Sequence, residues 1–118
     1  MTIARKQLGA QGEAKARTYL EHRGFTFVAA NVATRFDELD LVMRTGDTLV
    51  FVEVKTRRGV RAGLPQEAVT KHKLEHIIRA AHSYCRDYAH TGPWRIDVVA
   101  VTGDTVTHLP NVSADVDF

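Results

Sequence analysis

At 118 residues the chain suits one domain, 1–118, large enough to take about two-thirds of its unfolded surface out of water. Its 44% apolar and 25% charged residues exclude a fibrous or low-complexity protein, and a net charge of +2 is too small to announce a nucleic-acid partner. No apolar run nears the roughly 20 residues that span a bilayer, the basic start MTIARKQLGAQGEAKA lacks the apolar core of a secretion signal, and a single cysteine, Cys85, excludes an internal disulfide and fits a reducing cytoplasm.

Arg5 to Arg23 reads as a helix: Leu8, Ala16, Tyr19 and Leu20 share a broad face at helical spacing, with Glu13 at its edge. Gly9 and Gly12 each cost about 1 kcal/mol against alanine in a helix, which makes sense where the backbone presses on a sheet. Gly24 is a good helix stop. Phe25 to Ala30 then reads as a strand and Asn31 to Asp37 as a polar connection. Glu38 to Arg44 is a second strand, with Leu39, Leu41 and Met43 on one face and Glu38, Asp40 and Val42 on the other. Thr45-Gly46-Asp47 has tight-turn composition and makes a hairpin with the next strand, Leu49 to Arg58.

That third strand, LVFVEVKTRR, carries the most information. Val50, Val52 and Val54 form an uninterrupted apolar side. The other side starts with Leu49 and Phe51 and turns charged at Glu53 and Lys55, so the strand leaves the core and enters a polar site. Lys55, Arg57, Arg58, Arg61, Lys71 and Lys73 crowd into 19 residues, a basic stretch that a solvated loop explains about as well as a ligand does. A second helix is expected over Thr70 to Ala89, with Leu74, Ile77, Ile78, Ala81, Tyr84, Cys85 and Tyr88 as its apolar stripe. Arg95 to Thr102 is a valine-rich strand, Gly103-Asp104 a turn and Thr105 to Leu109 a short last strand, while 111–118 is weakly patterned. The order α–β–β–β–α–β–β, with a helical crossover between the third and fourth strands, predicts an α/β fold with a mixed sheet.

In the hairpin, residues whose numbers sum to about 93 lie opposite each other, so Asp40 falls near Glu53 with Cβ atoms roughly 5 Å apart. Two carboxylates that close repel unless a proton or a cation lies between them, and oxygen donors of this kind suit Mg²⁺ or Mn²⁺. Lys55, two residues on, could orient water or stabilise a developing oxyanion. Taken by itself the spacing also fits an exposed ion pair contributing roughly 0–1 kcal/mol. His72, His76 and His82 lack a third ligand and read as solvated side chains.

Four segments carry a resemblance: Gly12-Glu13-x-x-Ala16, Glu38-Leu39-Asp40-Leu41-Val42, Phe51-Val52-Glu53-Val54-Lys55-x-Arg57 and Arg95-Ile96-Asp97-Val98-Val99. Together they resemble the YraN-like family, small bacterial proteins regarded as endonucleases of the PD-(D/E)XK superfamily and distantly similar to archaeal Holliday junction resolvases. The likeness runs from about Leu8 to Thr102. It implies a restriction-endonuclease-like αβββαβ core and a DNA-cutting site for Mg²⁺ or Mn²⁺. Asp40, Glu53 and the Val54 carbonyl would hold the metal, Lys55 would be the catalytic lysine and Glu13 an outer carboxylate. Arg57, Arg58, Arg61 and Lys73 would contact the phosphate backbone of DNA, with branched DNA as a substrate class. By the same resemblance the protein would work as a homodimer. A nucleic-acid-binding module that keeps the fold without cutting is the alternative. Asp37 stands where the family usually has glycine, and Ile96 where it has phenylalanine. Asp97 is expected to anchor Arg95 or Arg57.

Overall fold

The computed structural model describes residues 3–57, 64–67 and 69–114. Its elements in chain order are α1 (Ile3–His22), β1 (Thr26–Ala33), β2 (Glu38–Thr45), β3 (Thr48–Arg57), a 3-10 turn (Pro65–Glu67), α2 (Lys71–Asp87), β4 (Trp94–Thr102) and β5 (Thr105–Leu109). The fold is the expected α/β one. Five strands lie in the order β1-β2-β3-β4-β5. Only β3 and β4 run parallel, because α2 must carry the chain back across the sheet before β4 can begin. The β2–β3 and β4–β5 hairpins close on Gly46 and Gly103, both at φ 57°, a backbone conformation that tight hairpin turns need and glycine adopts without cost.

The two helices cover opposite faces. On the α1 side, Ala16 and Leu20 pack with Leu41, Met43, Val50, Val52, Val99 and Val101. On the α2 side, Leu74, Ile77, Ile78, Ala81 and Tyr84 pack with Val42, Leu49, Phe51 and Ile96. Alternation along β3 therefore feeds both cores at once, Val50 and Val52 to one and Leu49 and Phe51 to the other. Thr70 caps α2, its hydroxyl accepting the Lys73 N–H at 3.2 Å.

Two expectations are corrected. β1 continues through Asn31 to Ala33 rather than ending at Ala30, because Val32 and Ala33 find partners in Leu39 and Glu38 across the ladder. Leu39 joins the α2 core, although strict alternation assigns it to the side of Leu41. The β2–β3 register ends at Leu41–Val52, so the first residues of β2 are paired to β1 alone and are free to turn. Asn111 to Ala114, part of the weakly patterned tail, is pinned to β4: the Val112 N–H donates to the Ile96 carbonyl at 2.8 Å and the Asn111 N–H to Asp97 at 2.9 Å.

Asp97 is fully buried and anchors Arg95, as one of the two expected alternatives had it. Its carboxylate accepts from Arg95 Nε and Nη2 at 3.0 and 3.2 Å, and His108 Nε2 lies 2.7 Å away. Burial alone would raise its pKa, but the hydrogen bonds from His108, Arg95 and the Asn111 N–H outweigh that and hold it below the ordinary carboxylate value. A depressed folded-state pKa gives stability that is present above the unfolded value near 4 and lost as pH falls through the folded one. Asp97→Ala is expected to cost about 3 kcal/mol or more at neutral pH, because it strands Arg95 and His108 against a buried hole. Urea unfolding should also show that this cost shrinks as pH drops below 4.

Candidate active site

The site is made where β2 and β3 part. Past Leu41–Val52 the two strands no longer pair, and the Asp40 side chain fills the gap: its Oδ2 accepts the Val54 N–H at 2.9 Å. The N–H and C=O of one residue in an extended strand point to the same edge, so the Val54 carbonyl faces Asp40 as well. Glu53 lies alongside and is hydrogen-bonded to Asp40, carboxyl to carboxyl. Such a bond requires a proton. Burial and the Asp40 charge push the Glu53 pKa up to about 8. Burial also raises Asp40, but the Val54 N–H and the Glu53 hydrogen bond oppose the rise. The shared proton accordingly belongs to Glu53, because the Val54 N–H already favours the ionised form of Asp40.

Glu13 reaches the same place from α1. Burial and the charge on Asp40 raise its pKa, while a hydrogen bond from the Asn31 side chain opposes the rise. The backbone of α1 sits unusually close to β3 there: a methyl group at Gly12 would collide with the Thr56 hydroxyl. Gly12 is thus the close approach expected of the two helix glycines. Gly9 is not, since a methyl at Gly9 would meet open space; its small size leaves room in the cleft that it lines. This cleft of about 590 Å³ brings together Glu13, Asp40, Glu53, Val54, Lys55 and Lys73. All six were named from the sequence. A smaller cleft of about 340 Å³, outside α1 between Lys15, Tyr19 and Asp104, carries the surface pair Lys15–Asp104 at 3.5 Å.

The cations are placed differently from one another. Lys55 is exposed and lines the cleft. Lys73, in the first turn of α2, is 2.8 Å from Asp37. Partial burial would lower its pKa, but Asp37, Glu53 and Asp40 together raise it. Asp37 is depressed, because the hydrogen bonds from Lys73 and the Glu38 N–H outweigh its desolvation. The Asp37 carboxylate therefore holds Lys73. Thr34 keeps it in position, its hydroxyl accepting the Asp37 N–H at 3.1 Å and donating to the Asp37 carbonyl at 2.6 Å. Arg57 donates to the Leu64 carbonyl at 3.1 Å, so part of its guanidinium secures the approach to α2. Arg58 and Arg61 lie outside the described residues. His72 and His76 contact each other edge to face at 4.5 Å, and His76 is near enough to Asp37 to help lower its pKa.

Among the described residues, no three His, Cys, Asp or Glu side chains gather closely enough to hold an ion by themselves. The donor set nevertheless fits Mg²⁺ or Mn²⁺. Ions of this kind are held by one or two carboxylates and keep several waters, and here two carboxyls already meet through a proton that a cation would replace, with the Val54 carbonyl beside them. The residues that the sequence did not single out are Asn31, which lay in an assumed loop, and Thr56, which decides how close α1 can come. Asparagine's tolerance of left-handed backbone was the one available signal for the first.

Two outcomes follow from this geometry. A raised Glu53 pKa means that the metal-free folded state binds a proton the unfolded chain has released, so stability declines as pH climbs from about 4.5 toward 8. Thermal unfolding should show that slope in the wild type and a flatter one in Glu53→Gln. Gly12→Ala gains about 1 kcal/mol of helix propensity yet loses about 1–3 kcal/mol to the clash with Thr56. It should destabilise the wild type and cost less in a Thr56→Ala background, where the hydroxyl is gone and the remaining Cβ contact is 3.1 Å, a coupling that a double-mutant cycle would expose.

The chain matches the model of "Uncharacterised protein family UPF0102" over residues 12–101. A relative in Serratia proteamaculans is 42% identical over 112 residues, covering 92% of this chain and 96% of the relative. Others in Pelotomaculum thermopropionicum, at 44% with 88% of each chain covered, and Chloroflexus aurantiacus, at 41% with 86% and 84% covered, carry the same family name. The matched span holds Glu13, Asp40, Glu53, Lys55 and Lys73 together with the sheet that places them, and on this evidence the chain belongs to the UPF0102, YraN-like, family.

Proposed function

We propose that this protein is a divalent-metal-dependent phosphodiesterase acting as an endonuclease on DNA, with branched or otherwise structured DNA as its substrate class. One observation carries the reading: two carboxyls, Asp40 and Glu53, are pressed together at the open end of the sheet with Lys55 and Lys73 beside them. A purely structural site has little reason to bury like-charged groups against each other at a cost in stability. A bound Mg²⁺ or Mn²⁺ would supply charge neutralisation at the phosphate and acidify the attacking water.

The chain's own residues divide the remaining work. Asp40 and Glu53 would hold the ion, with the Val54 carbonyl as a third donor. Lys55, exposed on the same face of β3, would orient the attacking water and donate to the oxyanion that develops. Lys73 would hold a neighbouring phosphate, its ammonium kept charged by Asp37. Arg57 and the basic segment after it would grip the DNA backbone, which makes affinity fall steeply with salt.

The test is a panel of linear, nicked, flapped and four-way DNA incubated with Mn²⁺. Wild type should cut at least one form, and Glu53→Ala and Lys55→Ala should each lose roughly a hundredfold or more in rate. If both variants cut as well as the wild type, the site is misassigned. Salt-sensitive binding of DNA with no cleavage of any form would replace the enzyme reading with that of a binding module.

A further inference from the structure

A glutamate on a helix has three free side-chain torsions, so the Glu13 carboxyl needs a partner to hold it at the carboxylate pair. Three non-glycine residues among those described adopt positive φ: Asn31, Ala89 and Asn111. Ala89 follows α2 and Asn111 lies in the turn after β5. Asn31, at φ 52°, is inside a strand. Its side chain is exposed, so core packing does not explain a conformation that L-residues avoid at a cost of roughly 1–2 kcal/mol.

The twist has a visible consequence. Ala29 and Val32, three residues apart, both pack on the α2 core, which regular alternation forbids. Between them Ala30 pairs with Leu41 and Val32 with Leu39, so Asn31 sits across the ladder from Asp40. Its side-chain amide bears on the Glu13 carboxylate, opposing the rise in pKa that burial and Asp40 cause. Glycine would satisfy the backbone at no steric cost; asparagine adds an amide donor at the place where Glu13 arrives.

We propose that Asn31 is a positioning residue, its left-handed backbone turning the amide out of β1 to hold Glu13 in the cleft that Asp40 and Glu53 line. The inference rests on the nuclease reading for its purpose, but the Asn31–Glu13 linkage is testable without it. Gly12 sets how near α1 comes to β3, and Asn31 sets where the next side chain points. Strain of this kind persists where the surrounding structure over-determines it, as at sites that need a preorganised group.

Asn31→Gly keeps the backbone conformation and deletes the amide. Asn31→Asp keeps the backbone tolerance and sets a like charge against Glu13. Both are made in wild-type and Glu13→Gln backgrounds, with Mn²⁺ affinity measured by calorimetry, cleavage on the DNA panel, and thermal unfolding to confirm the fold. Asn31→Gly should unfold within a few degrees of wild type yet bind Mn²⁺ about five- to tenfold more weakly, and Asn31→Asp more weakly still. Neither should have a further effect once Glu13 is glutamine. In metal-free wild type, the Asn31 side-chain amide resonance should move when Glu13 is changed to Gln. The proposal is overturned if the wild type binds Mn²⁺ and Asn31→Gly leaves that affinity and cleavage unchanged, if its loss persists undiminished in Glu13→Gln, or if that resonance stays put. A wild type that binds no Mn²⁺ while the resonance still responds would sink the nuclease reading and leave the positioning of Glu13 standing.

Discussion

The repulsion between Asp40 and Glu53 is the constraint around which this end of the molecule is built. Both side chains line the cleft just past Val42 and Phe51, which belong to the α2-side core. Neither can retreat. Asp40 is held by the Val54 N–H, and Glu53 is fixed by a strand whose preceding residues fill two cores. What relieves the pair in the metal-free protein is a proton, held by Glu53 far above the ordinary carboxylate range. The cost is tolerable because the rest of β3 is so well packed: Phe51 is fully buried and meets Tyr84 and Trp94 edge to face at 5.5 and 5.9 Å.

Two helices on opposite faces of the sheet nonetheless deliver residues to one end of it. α1 sends Glu13 and α2 sends Lys73, and each arrival depends on a local device. For α1 the device is a missing side chain, since Gly12 lets the helix backbone meet Thr56. For α2 it is the Thr70 cap, which starts the helix so that Lys73 falls in its first turn. The site is thus a product of the layer architecture: a helix-sheet-helix stack has an open rim at each end of the sheet, and side chains from all three layers reach that rim without crossing either core.

The charges near the rim are arranged in pairs of unequal character. Asp37 and Lys73 form a partly exposed ion pair, whose direct contribution to stability is small because solvent screens it. Its value lies in placement, since it ties the β1–β2 connection to the start of α2 and keeps an ammonium near Asp40 and Glu53. Asp97 is the opposite case. It is buried and fully hydrogen-bonded, and it locks β5 and the turn after it onto β4. Two acidic residues of similar sequence context, Glu38-Leu39-Asp40 and Arg95-Ile96-Asp97, therefore serve different ends.

Period-two alternation in β2 and β3, the Thr45-Gly46-Asp47 turn and the apolar stripe of α2 determined, from sequence alone, the element order, the mixed sheet and the meeting of Asp40 with Glu53. They could do so because hairpin register is a local matter, set by a turn a few residues away. The same rule failed at Leu39 and Asn31, where the β2–β3 ladder ends and β1 twists, since alternation holds only while a strand is paired on both sides or straight. Which of two glycines touches the sheet, that Asp37 would clasp Lys73 from 36 residues away and that Asn31 would meet Glu13 were decided only by tertiary structure. Each depends on the distance and angle between layers, quantities that packing of the whole molecule sets and that no short stretch of chain encodes.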